Sequence, residues 1–206
     1  MITSIKSPFL EYKMTILRNK KTSNSLFRQT MNEASYLIAA EVLKFLQFKK
    51  VSVHTPLIKT IGKDLAQQVI LVPILRAGLG LLEGFVKFLP DAEKGHIGLY
   101  RDEQTYEPVE YLFKLPKTKN KKVLVLDPML ATGNSSIAAI NLIKNNGVNI
   151  KDVFLVSLLA APEGIKNLQK NHRSLHIFTC KIDTKLNNNK FIVPGLGDAG
   201  DRYMGT

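Results

Sequence analysis

The spacing of apolar positions changes along the chain, and the changes mark the elements. Over Ser23–Phe48 they fall at Phe27, Met31, Ala34, Ile38, Val42 and Phe45, the spacing of one helical face, with Ser23, Asn24 and Ser25 as candidate N-caps. Short apolar runs then alternate with helical patterns. Val69–Leu75 reads as a buried strand and Gly80–Leu89 as a helix stopped by Pro90. His96–Tyr100 and Val109–Leu115 read as strands around the polar segment Arg101–Pro108, which predicts a hairpin. Val123–Asp127, Val153–Leu159 and Leu175–Cys180 read as strands, and Ser135–Asn146 and Pro162–Gln169 as helices. Val51–Gln68 carries little pattern, and Asn187–Asn189 suits a turn. Strands alternating with helices of this length predict an α/β fold, a parallel sheet with helices on both faces, because parallel neighbours need crossover connections. In such sheets ligands bind beyond the carboxyl ends of the strands.

At 206 residues, 45% of them hydrophobic, the chain is expected to form a single domain over 1–206 with a substantial core. No apolar run is long enough to span a membrane; the longest, around Val69–Leu75, is broken by Pro73. Met1–Lys13 mixes Lys, Glu and Pro with apolar residues and reads as no secretory signal, so a soluble, cytoplasmic protein is expected. The lone Cys180 excludes an intramolecular disulfide and any multi-cysteine metal site, and it reads as a small buried group. His172 and His176 have zinc-like spacing, but the helix pattern ends before them and no third ligand follows. His54 and His96 have no visible acid or nucleophile partner, and a hydrolase nucleophile elbow is absent.

Twenty-nine basic residues against 17 acidic give a net charge of +12, which favours an anionic partner: nucleic acid, acidic lipid or a phosphorylated small molecule. Only Arg18, Arg28, Arg76, Arg101, Arg173 and Arg202 are arginines, and the lysines are dispersed. The densest cluster, Lys114, Lys117, Lys119, Lys121 and Lys122, reads as an exposed connection or a phosphate-collecting surface. No aromatic residues interleave with it, so neither a nucleic-acid nor a membrane partner is expected.

Three strands run into loops with special chemistry. Val123–Asp127 ends in a carboxylate, and Pro128-Met129-Leu130-Ala131-Thr132-Gly133-Asn134-Ser135-Ser136 then opens a helix. Helix-start amides carry unsatisfied donors and partial positive charge, so the loop suits a phosphate, with Gly133 permitting close backbone approach and Thr132, Ser135 and Ser136 adding hydroxyls. Asp127 can accept hydrogen bonds from sugar hydroxyls or lie near a metal bound to the ligand; the plainer alternative is a helix cap and a turn. Val72–Leu75 leads into Arg76-Ala77-Gly78-Leu79-Gly80, which puts an Arg at a strand tip, where it suits a second anionic group. The following glycines only loosely match a dinucleotide fingerprint, the third coming one residue late. Phe191–Arg202 carries Gly, Pro and Ala around Asp198 and Asp201; Asp201 stands where a P-loop needs Lys, so this is no triphosphate loop. Its exposed backbone can offer an N–H beside a C=O to a flat, amide-like ring.

Asp127-Pro128-Met129-Leu130-Ala131-Thr132-Gly133 resembles the phosphoribosyl-pyrophosphate (PRPP) motif of type I phosphoribosyltransferases. Together with Ile74–Gly80, Tyr100-Arg101, Ala160–Gly164 and Pro194–Asp201, it resembles the uracil phosphoribosyltransferase family from about Pro8 onward. The resemblance implies transfer of phosphoribosyl from PRPP to uracil, giving UMP and pyrophosphate, with Mg²⁺ carried by PRPP and no metal ligands on the protein. It implies that Arg76 and Arg101 hold the pyrophosphate. Asp127, Pro128, Met129, Leu130, Ala131, Thr132, Gly133, Asn134 and Ser135 match the loop on the ribose hydroxyls and 5′-phosphate. Ile192, Gly197, Asp198 and Ala199 match the uracil contacts, with Asp198 also facing PRPP. Asp127, Arg101 and Asp198 are then the catalytic candidates. The family usually has Gly where this chain has Asn134; Asn tolerates the left-handed conformation, so the loop is expected to survive. The resemblance also implies a flexible hairpin flap beginning at Arg101, a small C-terminal hood and a homo-oligomer, dimer or higher. GTP enters as a candidate effector, as in some relatives. Rival readings are a transferase for another base, such as a purine, and a PRPP-sensing regulator that binds RNA.

Overall fold

The computed structural model describes residues 1–102 and 108–206, with the side chain of Arg101 outside that set. Strand β1 (Ile2–Ser4) leads into α1 (Pro8–Arg18), which starts where Pro8 fits the first turn and the Ser7 hydroxyl accepts from the Leu10 amide. Helix α2 (Asn24–Val42) is capped in the same way by Ser23 and buries the predicted stripe of Phe27, Met31, Ala34, Ile38 and Val42. It ends earlier than the pattern suggests. After Val42 the chain tightens into one 3₁₀ turn and enters the hairpin of β2 (Phe48–His54) and β3 (Lys59–Leu65). That hairpin is largely exposed, so no alternation announces it.

The alternating part follows as β4 (Val69–Leu75), α3 (Leu79–Phe88), β5 (Glu93–Lys94), β6 (His96–Arg101), β7 (Pro108–Lys114), β8 (Lys122–Leu126), β9 (Met129–Leu130) and α4 (Asn134–Asn145). Next come β10 (Val153–Ala160), α5 (Pro162–Asn171), β11 (His176–Ile182), β12 (Lys185–Leu186), β13 (Ile192–Val193) and α6 (Ala199–Met204). The main sheet has the order β1-β11-β10-β8-β4-β6-β7 and is parallel up to β6, with β7 antiparallel at the edge. The predicted hairpin therefore exists as β6 and β7; its connecting residues, 103–107, lie outside the described set.

The core lies on both sides of this sheet. Val69 and Leu71 of β4 pack with α1, α2 and α3, while Ile70, Val72 and Ile74 face α4 and α5. Every residue of β10 is buried, as expected of a central parallel strand covered on both faces. Its alternation slips at Leu158 and Leu159, whose successive amides both donate to the Pro128 carbonyl, as in a β-bulge. This contact ties the end of β10 to the start of the Asp127 loop. No helix of the described residues is long and apolar enough to cross a membrane.

Candidate active site

Asp127 follows the last residue of β8, and its amide donates to the Val156 carbonyl at 3.0 Å, so the neighbouring strand fixes where the carboxylate emerges. One carboxylate oxygen accepts from the Met129 amide at 3.3 Å and the other from the Ser136 hydroxyl at 3.2 Å. Burial raises its pKa to about 6, against the smaller lowering effect of those two hydrogen bonds. A buried carboxylate with only two long hydrogen bonds has capacity left to accept from sugar hydroxyls.

The loop beyond it turns on Gly133, whose φ of 85° is left-handed. Gly133 supplies no side-chain cap to α4, and at that helix start the Asn134 amide donates to the Thr132 hydroxyl at 3.4 Å. Asn134 itself is the first residue of α4 and needs no left-handed conformation; the expectation that it must tolerate one is corrected. Its side-chain oxygen accepts from Asn167 Nδ2 at 3.1 Å, and the same nitrogen donates to the Thr132 carbonyl at 3.0 Å. Helix α5 thus braces the loop from behind. At Gly164 any Cβ would strike the Ala131 carbonyl, so α5 approaches this closely only because that residue is glycine.

The β4 tip places Arg76 opposite. Its guanidinium, about half exposed, donates to Asp201 Oδ1 at 2.8 Å. Asp201 lies in the first turn of α6, whose N-cap is Asp198; Asp198 Oδ1 accepts from the Asp201 amide at 3.0 Å. The Leu75–Arg76 and Val193–Pro194 peptide bonds are cis.

These parts enclose a cavity of about 580 Å³ lined by Arg76, Asp127, Met129, Ala131, Thr132, Gly133, Asn134, Ser135 and Asp198, among others. A second cavity of about 210 Å³ is lined by Ile192, Gly197, Asp198 and Ala199. The two share Ala77, Met129, Ala131, Lys190, Asp198 and Gly200 as common walls. Two expected residues do not line either. Leu130 is fully buried in the core on the α4–α5 side, and Pro128 is buried with its carbonyl engaged by β10. Their places in the motif hold the loop rather than face the cavity, which corrects the expectation that they contact ligand. The Arg101 side chain lies outside the described residues.

Sequence reasoning missed Lys190, which lines both cavities and adopts a left-handed φ of 63°. The Asn187–Asn189 tract before it was the available signal, since the Lys190 amide closes that turn on the Asn187 carbonyl at 2.9 Å. It also missed Tyr111, which lines the larger cavity with Tyr100; their rings lie 6.4 Å apart. Among the described lining residues, the carboxylates of Asp127, Asp198 and Asp201 outnumber the cations of Arg76 and Lys190. Among the described residues, no three His, Cys, Asp or Glu side chains cluster closely enough to hold a metal ion.

Comparison with known proteins decides what this architecture belongs to. The family model described as uracil phosphoribosyltransferase matches residues 4–206. The chain belongs to the uracil phosphoribosyltransferase family. It is similar to the uracil phosphoribosyltransferase of Streptococcus thermophilus, with 49% identity over 205 residues covering 98% of this chain and 97% of that protein. It is also similar to that of Finegoldia magna, with 48% identity over 207 residues covering 100% and 98%. Among solved structures, the AQ2163 protein from Aquifex aeolicus superposes with a TM-score of 0.93 at 36% identity, covering 98% of this chain and 97% of that one. A hypoxanthine-guanine phosphoribosyltransferase from Bacillus anthracis shares the fold alone, with a TM-score of 0.51 at 10% identity over 78% and 80% of the two chains. The sheet and its helices are therefore the fold of the uracil phosphoribosyltransferase family, shared with the hypoxanthine-guanine phosphoribosyltransferase.

Proposed function

We propose that the protein transfers the phosphoribosyl group of PRPP to uracil, giving UMP and pyrophosphate, with residues 1–206 acting as one domain. The observation that carries this reading is the pair of adjoining cavities. One is walled by a phosphate-type helix start, a buried carboxylate and a strand-tip Arg, and the other by the bent Gly197–Ala199 segment. A volume near 580 Å³ suits a ligand of this size.

In this reading the amides at the start of α4, with Thr132 and Ser135, hold the 5′-phosphate. Asp127 accepts from ribose hydroxyls, and its negative charge lies beside a sugar ring that becomes electron-poor. The bond from C1 to pyrophosphate breaks ahead of bond formation from uracil nitrogen to C1 on the opposite face. Arg76, joined by Arg101, meets the charge that builds on the departing oxygens. Asp198 walls both cavities and is the candidate acceptor for the proton that uracil loses. Much of the rate gain comes from fixing the two substrates, worth ~7–11 kcal/mol at best. Closure of the β6–β7 flap would exclude water.

Among the described lining residues, the carboxylates of Asp127, Asp198 and Asp201 fit a diphosphate that arrives with Mg²⁺. Asp198 and Asp201, which line the cavity, would hold a hydrated Mg²⁺ brought in with the diphosphate, and the ion would supply charge neutralisation on the leaving group. A cytoplasmic setting fits PRPP, which is too highly charged to cross a membrane unaided.

The test is labelled uracil with PRPP and Mg²⁺, scored for UMP; adding GTP to the same assay tests an effector role. A panel of bases gives UMP alone if the reading holds, and purine nucleotide without UMP overturns it. RNA binding with no UMP would favour the regulator. Ala199→Asp is expected to abolish uracil use while PRPP affinity, read by calorimetry, stays within about twofold, since Ala199 lines only the smaller cavity. Lost PRPP binding would take Ala199 out of the base site.

A homo-oligomer is part of the proposal, and the β2–β3 hairpin supports it. It exposes Leu57 at 91%, Ile58 at 70% and Ile61 at 71%, an unusual concentration of large apolar groups. Leu57→Ser with Ile61→Ser is expected to lower the molecular mass seen by light scattering toward 23.0 kDa. An unchanged mass would remove the hairpin from the interface.

A further inference from the structure

We propose that Arg18, acting through Asp183, is a positioning residue for the base cavity, holding the segment that presents backbone to uracil; this rests on the function proposed above. The segment is the sharply bent Pro194–Asp198. Gly195 has a φ of 60° and Gly197 a φ of 81°, and a Cβ at Gly195 would strike the Ile192 carbonyl. Such a turn makes no ladder, so its polar groups need other partners.

One ion pair supplies them. The Gly195 amide donates to Asp183 Oδ2 at 2.9 Å, while the Gly195 carbonyl accepts from Arg18 Nη1 at 2.8 Å. Arg18 grips Asp183 in a fork, Nη1 to Oδ2 at 2.8 Å and Nη2 to Oδ1 at 2.6 Å. Both backbone groups of Gly195 are therefore held by the two halves of a single pair. The next carbonyl, that of Leu196, accepts from Arg202 Nη1 at 2.6 Å, and Arg202 also donates to the Leu17 and Asn19 carbonyls. The end of α1 thus serves as a fixed block on both sides of the bend.

Asp183 is only 6% exposed. Burial opposes its ionisation, but the Arg18 and Gly195 hydrogen bonds and the Arg18 charge outweigh it and keep its carboxyl below the ordinary value. A planar guanidinium can serve three acceptors in fixed directions; a lysine ammonium cannot reproduce that fork. The clamped backbone of Gly195, Leu196 and Gly197 is not among the walls of the 580 Å³ cavity, whereas Gly197 lines the smaller one. Loss of the clamp should therefore reach uracil and spare PRPP.

Two variants test this. Arg18→Lys keeps a charge without the fork. Arg18→Met with Asp183→Leu removes both charges together, and replacing a buried pair with apolar groups is commonly neutral for stability, so this form is expected to fold. In both, the uracil KM should rise about tenfold or more, the PRPP KM should stay within about twofold, and the double variant should show the larger effect. Amide exchange at Gly195 and Gly197, measured on the full protein without substrate, should quicken about tenfold while the α4 amides stay unchanged. A folded double variant with the parental uracil KM, a parallel rise of both KM values, or unchanged Gly195 exchange would overturn the clamp. If the parent protein makes no UMP, the functional reading fails on its own, and amide exchange still decides whether Arg18 orders the segment.

Discussion

Asp127→Asn is expected to remove at least about 99% of turnover while making the protein more resistant to heat at neutral pH, as preorganised charge at a reacting centre commonly contributes 10²–10³ in rate. The two effects have one cause. Burial holds the Asp127 pKa near 6 instead of its ordinary value of 3.8, so between those pH values the folded state keeps a proton that the unfolded chain has released. Stability therefore falls as pH rises from about 4 to about 6, and above that range ionised Asp127 costs the fold about 3 kcal/mol, at ~1.4 kcal/mol for each pH unit between the two values. Asn carries no such cost and can still accept from the Met129 amide. The melting temperature of Asp127→Asn should exceed the parent's at pH 8 by several degrees and converge with it near pH 4. Equal melting curves at both pH values would mean the carboxylate is not strained by burial. The catalytic arm has its own pH signature: kcat/KM for PRPP in the parent should decline below about pH 6 as Asp127 takes up a proton.

Arg76→Met is expected to lower kcat/KM for PRPP by about 10²–10³, with Arg76→Lys recovering part of the loss, because a lysine keeps the charge without the planar fork. The fold should hardly notice. Arg76 is 52% exposed and its partner Asp201 49%, and exposed ion pairs of this kind contribute ~0–1 kcal/mol. Initial-rate measurements at varied PRPP, alongside a thermal melt, separate the two expectations. A melt lowered by more than a few degrees would assign Arg76 a structural task instead.

The parts of the molecule legible in the sequence are those whose physics is local. Val69–Leu75 is read with its observed bounds because a parallel strand buried on both faces has to be apolar throughout. The Asp127 loop is legible because a strand tip, small residues and hydroxyls adjoin in sequence. Leu130 shows the limit: the motif marks a stretch, but alternation turns that side chain into the core. The β2–β3 hairpin left no trace, since an exposed arm has no buried face to impose a period. Arg18 and Asp183 were invisible for another reason: 165 positions separate them, and only the folded chain sets one against the other. Lys190 was hidden because nothing in a turn tract shows which cavity it adjoins.

The Arg76–Asp201 pair bears on how a catalytic cycle closes. Before any ligand arrives, the guanidinium already has a carboxylate at 2.8 Å, on a helix anchored at the other end of the chain. In the proposed reaction a diphosphate arriving at Arg76 competes with Asp201 for the guanidinium, and the same carboxylate is on hand to reclaim it afterward. Product departure thus has a competitor tethered to the protein, one that no dilution removes.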